Sequence, residues 1–125
     1  MMFTLFQVAL GGAIGAVARF ATQAGLARVL GAGFPWGTFA ANVLGSFVMG
    51  ALFVVLMERG GGRLSPLLLT GVLGGFTTFS AFSLDALRLF ERAQPGAAAL
   101  YVLGSVGLSL LAVIAGVMLA RMVAA

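Results

Sequence analysis

Side chains that donate hydrogen bonds recur at helical spacing in a chain that is otherwise apolar. Two ladders, in which each residue follows the previous one by four positions, are Thr38–Asn42–Ser46 and Tyr101–Ser105–Ser109. Residues four apart share one face of a helix, so each ladder would form a polar stripe. Hydroxyl and amide groups can all donate, which suits a dehydrated anion. A cation path would instead call for acidic rings or carbonyl oxygens.

Each ladder also has a purely structural explanation, because small and hydroxyl side chains are common where membrane helices touch. We favour that explanation for Ser46 and Gly50, and for Gly11 and Gly15 in the first apolar stretch. Asn42 is harder to explain in this way, since a carboxamide in hydrocarbon must find polar partners. For the ladder that begins at Tyr101, a polar track is preferred to a packing seam.

Residues 74–85 (GGFTTFSAFSLD) combine paired glycines, hydroxyls and phenylalanines within one apolar stretch. Glycine disfavours a helix interior, and irregular backbone inside a membrane persists only where protein or a cavity surrounds it. A break here would free carbonyls for a cation such as sodium, whereas a tight helix crossing at the glycine pair is the alternative. Phe79 and Phe82 would either pack as ordinary apolar residues or turn positively polarised ring edges toward an anion.

The elements that must carry these residues are membrane spans. The chain has 125 residues, of which 62% are hydrophobic and 8% charged, whereas about a quarter of a soluble domain is charged. A helix needs about 20 apolar residues to cross the hydrocarbon, and four stretches qualify: 3–26, 36–57, 65–89 and 97–121. We expect a single four-helix transmembrane domain over residues 1–125. Its first span should be retained, because the basic region and cleavage site of a signal peptide are missing.

The charged residues and the absent residue types exclude several functions. The chain has no cysteine or histidine, so disulfides, zinc sites and ordinary nucleophile–base pairs cannot be assembled, and no enzyme is expected. The net charge of +4 comes from arginines near span ends, which fits anionic headgroups better than nucleic acid.

The arginines are divided almost evenly between the two predicted sides of the membrane. Arg59, Arg63 and Arg121 lie on the side of the termini; Arg28, Arg88 and Arg92 lie on the other, with Arg19 inside the first span toward it. Cationic loops normally mark the cytoplasm. The even division indicates either a noisy count or insertion in both orientations, which would allow two inverted copies to pair. Four helices leave no room for a pore within one copy, so a pathway would lie between subunits.

Four segments together resemble the Fluc/CrcB family of fluoride channels: GGAIGAVARF (11–20), WGTFAANVLGSFVMG (36–50), GGFTTFSAFSLD (74–85) and the YxxxSxxxS spacing of 101–109. The resemblance covers all four spans. It implies an all-α integral membrane fold of four transmembrane helices per subunit, with the third helix broken at its centre. It further implies an antiparallel, dual-topology homodimer with two pores at the interface. The implied function is passive fluoride export across the cytoplasmic (inner) membrane of a microbe that accumulates the ion through hydrogen fluoride.

The resemblance also implies roles for individual residues, carried over by position. Pore and fluoride-binding residues would be Thr38, Asn42, Thr78, Phe79, Ser80, Phe82, Tyr101, Ser105 and Ser109, with the phenylalanines contributed across the dimer. Arg19 and Asp85 would lie near a vestibule. Asp85 stands where relatives can carry Glu, and an ion pair with Arg19 or Arg88 is the alternative. A structural sodium ion on the two-fold axis would be held by the Gly74 and Thr77 carbonyls of both copies.

Two other functions remain as alternatives. A small multidrug-resistance-type exporter is also a short dual-topology dimer, but it depends on a glutamate within its first span, and this first span has no acidic residue. A non-transporting membrane assembly subunit, built on the small-residue faces, predicts no ion flux. The absence of a mid-span carboxylate or histidine favours passive conduction over proton coupling.

Overall fold

A computed structural model describes residues 1–124, and all regular structure within that range is helical. Helix α1 is Met2–Leu30 and α2 is Trp36–Glu58; the third span consists of α3 (66–76) and α4 (Phe79–Glu91), and α5 is Pro95–Ala124. Four helices in the described range are long and apolar enough to cross a membrane when Gly62–Glu91 is taken as one. The predicted all-α architecture of four spans is therefore confirmed, as is an interruption of the third helix.

Turns with unusual backbone geometry separate the helices. Gly31 ends α1 with φ 87°, and Gly60 turns the chain between α2 and α3 with φ 96°, in the region that glycine tolerates best. Pro66 begins α3, where its fixed φ and missing N–H are no disadvantage. Residues Val54–Glu58 and Pro66–Leu73 are wound as π-helix, so α2 ends and α3 begins with wider turns.

Glycines allow the helices to touch backbone to backbone. A Cβ added at Gly75 would lie 2.7 Å from the Gly12 carbonyl oxygen, and one added at Gly71 would lie 2.9 Å from the Gly11 Cα. These contacts join α3 to α1. On the other side of the bundle, a Cβ at Gly50 would lie 3.0 Å from the Val117 nitrogen, which joins α2 to α5. Close packing therefore explains the small-residue face of α1 and also Gly50, as predicted.

The third span is interrupted at Thr77 and Thr78. Both have extended backbone, with ψ 156° and 127°, and α4 restarts at Phe79. Gly74, in contrast, is helical with φ −62° and ψ −36°. Gly75 therefore serves the contact with α1, whereas an added Cβ at Gly74 would meet only the Leu69 carbonyl oxygen of its own helix, at 3.7 Å. The threonines that follow the glycine pair make the break.

The interior of the described chain is small, and most large apolar side chains point outward, as expected for a surface that meets lipid. The buried cluster lies where α4 faces α5 and consists of Phe82, Leu89, Ala98 and Tyr101. At the opposite end of the bundle, Arg121 of α5 forms a two-point ion pair with Glu58 at the end of α2, with distances of 2.6 and 3.1 Å. The cluster and the ion pair both attach α5 to the rest of the bundle.

Candidate functional site

A cavity of about 240 Å³ lies beside the break in the third span. Its walls come from α2, the break, α4 and α5, and its lining residues are Asn42, Ser46, Thr77, Thr78, Phe79, Phe82, Ser105, Val106 and Ser109. We call this cavity the central groove. It brings together six residues that the sequence assigned to the pore: Asn42, Thr78, Phe79, Phe82, Ser105 and Ser109.

Asn42 is joined to the break by two hydrogen bonds in opposite directions. Its Nδ2 donates to the Thr78 carbonyl at 3.0 Å, and the Thr78 N–H donates to its Oδ1 at 2.8 Å. The extended backbone at Thr78 has lost its helical partners, and the carboxamide replaces them. A primary amide carries two N–H donors, and within residues 1–124 only one of them is engaged. Asn42 thus holds the break and retains a donor for the groove.

The two threonine hydroxyls at the break act locally. Thr77 Oγ1 donates to the Leu73 carbonyl at 2.9 Å, which commits its proton to α3. Thr78 Oγ1 accepts from the Ala81 N–H at 3.1 Å and so caps α4, the usual role of Thr in extended conformation before a helix. The same oxygen lies 3.3 Å from Ser80 Oγ. Ser80 itself is exposed and does not line the central groove.

Ser105 and Ser109 supply two hydroxyls without partners. Their Oγ atoms are buried, and neither has a hydrogen-bond partner within the described residues. Ser105 is 4% exposed. Leaving a buried hydroxyl unpaired costs about 1–3 kcal/mol, and both hydroxyls border the same cavity. The groove is therefore equipped for a ligand that accepts hydrogen bonds.

Phe79 and Phe82 form an aromatic pair on the opposite wall of the groove. Their ring centroids are 5.5 Å apart and their planes are inclined by 49°. Phe82 is only 7% exposed and packs against Tyr101 at 5.2 Å, whereas Phe79 is 75% exposed. One wall of the groove therefore consists of an aromatic ring at the surface of the single chain.

A second cavity, of about 280 Å³, lies at the end of the bundle where α1 ends and α2 begins. We call it the end cavity. Thr38 and Asp85 line it, together with Gln23, Arg88 and Arg92. The structure therefore places Thr38 and Asp85 here rather than in the central groove.

Tyr101 lies between the two cavities and is fully buried. Its hydroxyl donates to Asp85 Oδ2 at 3.3 Å. Tyr101 lines neither cavity, so the ladder on α5 is divided: its two serines face the central groove, while its tyrosine is joined to Asp85. Thr38, one turn before Asn42, accepts from Gln23 Nε2 at 2.9 Å.

Two expectations about the charged residues need correction or refinement. Within residues 1–124 Asp85 forms no ion pair with Arg19 or Arg88. Its Oδ2 instead accepts a hydrogen bond from the buried Tyr101 hydroxyl. Arg19 is half-buried, and its Nε donates to the Gly75 carbonyl at 3.1 Å. It lines neither the central groove nor the end cavity.

Three side chains of the end cavity were not predicted from the sequence, and one residue of the central groove was assigned to helix packing. Gln23, Arg88 and Arg92 line the end cavity, and Ser46 lines the groove although packing seemed the better explanation for it. The signal for Ser46 was its place on the ladder with Asn42. For Gln23 the signal was a polar side chain within an apolar span.

The carbonyls of Gly74 and Thr77 fit the description of a cation site. In a continuous helix the Thr78 N–H would reach the Gly74 carbonyl, but here it donates to Asn42. The Ala81 N–H, which would reach the Thr77 carbonyl, donates to the Thr78 hydroxyl. Neither carbonyl accepts a hydrogen bond across the break in the part of the chain that the structure describes. No cluster of three acidic, histidine or cysteine side chains occurs in that part either, so a cation there would depend on main-chain oxygens.

Comparison with known proteins relates this chain to a family. Residues 6–117 match the family described as CrcB-like protein, Camphor Resistance (CrcB). A protein from Cereibacter sphaeroides named fluoride-specific ion channel FluC is 58% identical over 121 residues, which are 97% of each chain. Proteins of the same name from a Ruegeria species and from Rhizobium etli are 54% and 50% identical over 97–98% of this chain. The similarity extends over all four spans.

Proposed function

We propose, because this chain belongs to the CrcB family, that it is a passive, fluoride-selective ion channel that exports fluoride across a bacterial inner membrane. The relatives that it matches over nearly their whole length are bacterial proteins named as fluoride-specific ion channels. The observation that carries the proposal within the structure is the pair of buried, unpartnered hydroxyls of Ser105 and Ser109 in the central groove. The family is one of channels, so no enzymatic activity is assigned.

The chemistry of the central groove suits fluoride. Removing water from a small anion is very unfavourable unless donors replace that water. Two serine hydroxyls and the second N–H of Asn42 are donors, and the phenylalanine edges across the groove carry partial positive charge. No carboxylate lines this groove. The groove therefore has no acidic ligand for a cation and no acidic side chain that could carry a proton. Conduction is therefore passive.

We also propose that two copies form the pore-containing unit as an antiparallel homodimer. The groove borders a largely exposed Phe79, so a second surface is needed to enclose it. The even division of arginines between the two sides is compatible with insertion in both orientations. A two-fold axis in the membrane plane would then create two grooves of opposite direction, with the exposed Phe79 of each copy at the interface.

The Gly74 and Thr77 carbonyls, which accept no hydrogen bond across the break in the described residues, support a further part of the proposal. This part is a structural sodium ion at the dimer axis. Gly74 and Thr77 of each copy would supply four neutral oxygens, which suit a hard monovalent cation. The ion would supply positive charge that fastens the two breaks together. The Gly74 and Thr77 carbonyls are left without their helical donors because the Thr78 N–H donates to the Asn42 side chain and the Ala81 N–H donates to the Thr78 hydroxyl.

The alternative of a small multidrug exporter is not favoured. Residues Met2–Leu30 contain no acidic side chain that could exchange a proton for an organic cation. Both the family and the names of the relatives also point to a fluoride channel.

The deciding experiment is anion efflux from liposomes that contain the purified protein. We expect fluoride to leave rapidly when a potassium ionophore balances the charge, and chloride to be retained. The test variant is the double substitution Ser105→Ala, Ser109→Ala, which removes only the two buried hydroxyls that have no partner in the described residues. We expect its fluoride efflux to fall. Equal efflux of chloride and fluoride, or fluoride retention by the wild-type protein, would refute the proposed function.

A further inference from the structure

Arg19 reaches the end of the first half of the interrupted helix. It lies on α1, and its Nε–H donates to the Gly75 carbonyl at 3.1 Å. In an unbroken helix that carbonyl would accept from the N–H of residue 79. Phe79 instead begins α4 beyond the extended threonines, so the break removes the natural donor. The arginine side chain replaces it.

The other carbonyls at this helix end are treated differently. The Leu73 carbonyl accepts from both the N–H and the hydroxyl of Thr77. The Gly74 carbonyl loses its donor because the Thr78 N–H turns to Asn42. The end of α3 is thus held by α1 through Arg19, while the start of the next segment is held by α2 through Asn42. Each neighbouring helix fixes one side of the break.

We infer that Arg19 is a positioning residue, which ends α3 and fixes it against α1, and that it does not act as a charge that gathers anions. This inference rests on the proposed channel function. Side-chain donors stabilise helix C-termini by hydrogen-bonding carbonyls that lack intrahelical donors. Arg19 lines neither cavity, and the glycines of α1 and α3 bring its side chain within reach of the Gly75 carbonyl.

The identity of the donor atom allows the hydrogen bond to be separated from the charge. The bond is made by Nε and not by the terminal nitrogens. Glutamine carries an N–H donor at the same position along its side chain but has no charge. Lysine keeps the charge but has a methylene group at that position. Arg19→Gln therefore preserves the contact, whereas Arg19→Lys preserves only the charge, and Arg19→Met preserves neither.

The experiment measures fluoride efflux from liposomes over a range of fluoride concentrations for the wild-type protein and these three variants. Loss of the hydrogen bond to the Gly75 carbonyl should lower the maximal rate about tenfold for Arg19→Lys and Arg19→Met, with the half-saturating fluoride concentration unchanged. Arg19→Gln should remain within about twofold of the wild-type maximal rate. Arg28→Gln, an exposed change on the same helix, is the matched control and should behave as wild type.

The reverse pattern would overturn the inference. If Arg19→Lys conducts normally while Arg19→Gln does not, or if the half-saturating concentration rises at an unchanged maximal rate, the charge is what matters. Thermal unfolding in detergent provides a second measurement that does not depend on conduction. We expect Arg19→Gln to melt with the wild type, and Arg19→Lys and Arg19→Met to melt earlier; equal melting of all four proteins would refute the role. A wild-type protein without fluoride efflux defeats the proposed function alone, since the melting series still tests Arg19.

Discussion

Asn42 and Thr78 hold each other through two hydrogen bonds, although they are 36 residues apart and belong to different spans. One bond runs from the carboxamide to the backbone and the other from the backbone to the carboxamide. The arrangement satisfies both backbone polar groups of a residue, Thr78, that has left helical geometry inside a membrane, where water is not available. The same two hydrogen bonds therefore stabilise the break in the third span and fix the position of the Asn42 side chain at the groove.

Replacing Asn42 tests its assignment to the pore. Asn42→Asp keeps an acceptor for the Thr78 N–H but loses the donor to the Thr78 carbonyl and places negative charge beside the anion path. We expect fluoride efflux to fall at least about tenfold, which corresponds to about 1.4 kcal/mol of barrier. Liposome efflux measures the effect, and Leu44→Ala, an exposed change on the same helix, serves as control. Normal conduction by Asn42→Asp would contradict the assignment of Asn42 to the pore.

The unpartnered serine hydroxyls predict opposite effects on function and on stability. Ser105→Ala removes a buried hydroxyl that has no partner within the described residues, so the protein should unfold no more easily, and its free energy of unfolding should rise by up to about 1 kcal/mol. Fluoride efflux should nevertheless fall, because a donor to the dehydrated ion is lost. Efflux is compared with denaturation in mild detergent. A destabilised variant with normal efflux would show that this hydroxyl has an intramolecular partner and no role in conduction.

The aromatic pair offers a test of the ring edges. Phe82→Ile keeps an apolar side chain but removes the aromatic quadrupole, so we expect a loss of fluoride efflux. Because Phe82 belongs to the buried cluster, a lower free energy of unfolding should accompany that loss. Phe90→Ile, on the same helix and 64% exposed, is the matched control and should conduct normally. Efflux and gel-filtration behaviour are measured together for both variants. If the two substitutions have the same effect on efflux, the ring edges of Phe82 play no special part.

The glycine contacts predict a purely structural effect. Gly75→Ala would place a Cβ 2.7 Å from the Gly12 carbonyl oxygen, and backbone cannot move aside as a flexible side chain can. We expect a loss of about 1–3 kcal/mol in the free energy of unfolding, the usual cost of overpacking. Gly25→Ala on α1, where an added Cβ meets nothing within 4 Å, should leave stability unchanged or improve it slightly. Unfolding in detergent with increasing denaturant distinguishes the two variants.

Much of the fold follows from local properties of the sequence. Four long apolar stretches predict four spans, because only helices of that length satisfy their own backbone in lipid. The i, i+4 ladder on α2 and the serines of α5 were likewise visible, since helical periodicity alone places such residues on one face. The family resemblance rested on the same local segments.

Other features depended on contacts between distant residues. The residues 74–85 predicted an interruption, but only the structure locates it at Thr77 and Thr78 and assigns Gly75 to the contact with α1. A propensity scale records that glycine disfavours a helix. It contains no information on whether a neighbouring helix packs so closely that only glycine fits.

The sequence by itself determined that this chain crosses the membrane four times and carries donor-bearing stripes on its second and fourth helices. The tertiary structure decided which donors remain free. Asn42 is half engaged by Thr78, Tyr101 is engaged by Asp85, and Ser105 and Ser109 are buried without partners in the described residues. The physical reason is that a hydrogen-bonding group is defined by its type in the sequence, whereas its availability depends on which partner the fold brings within about 3 Å.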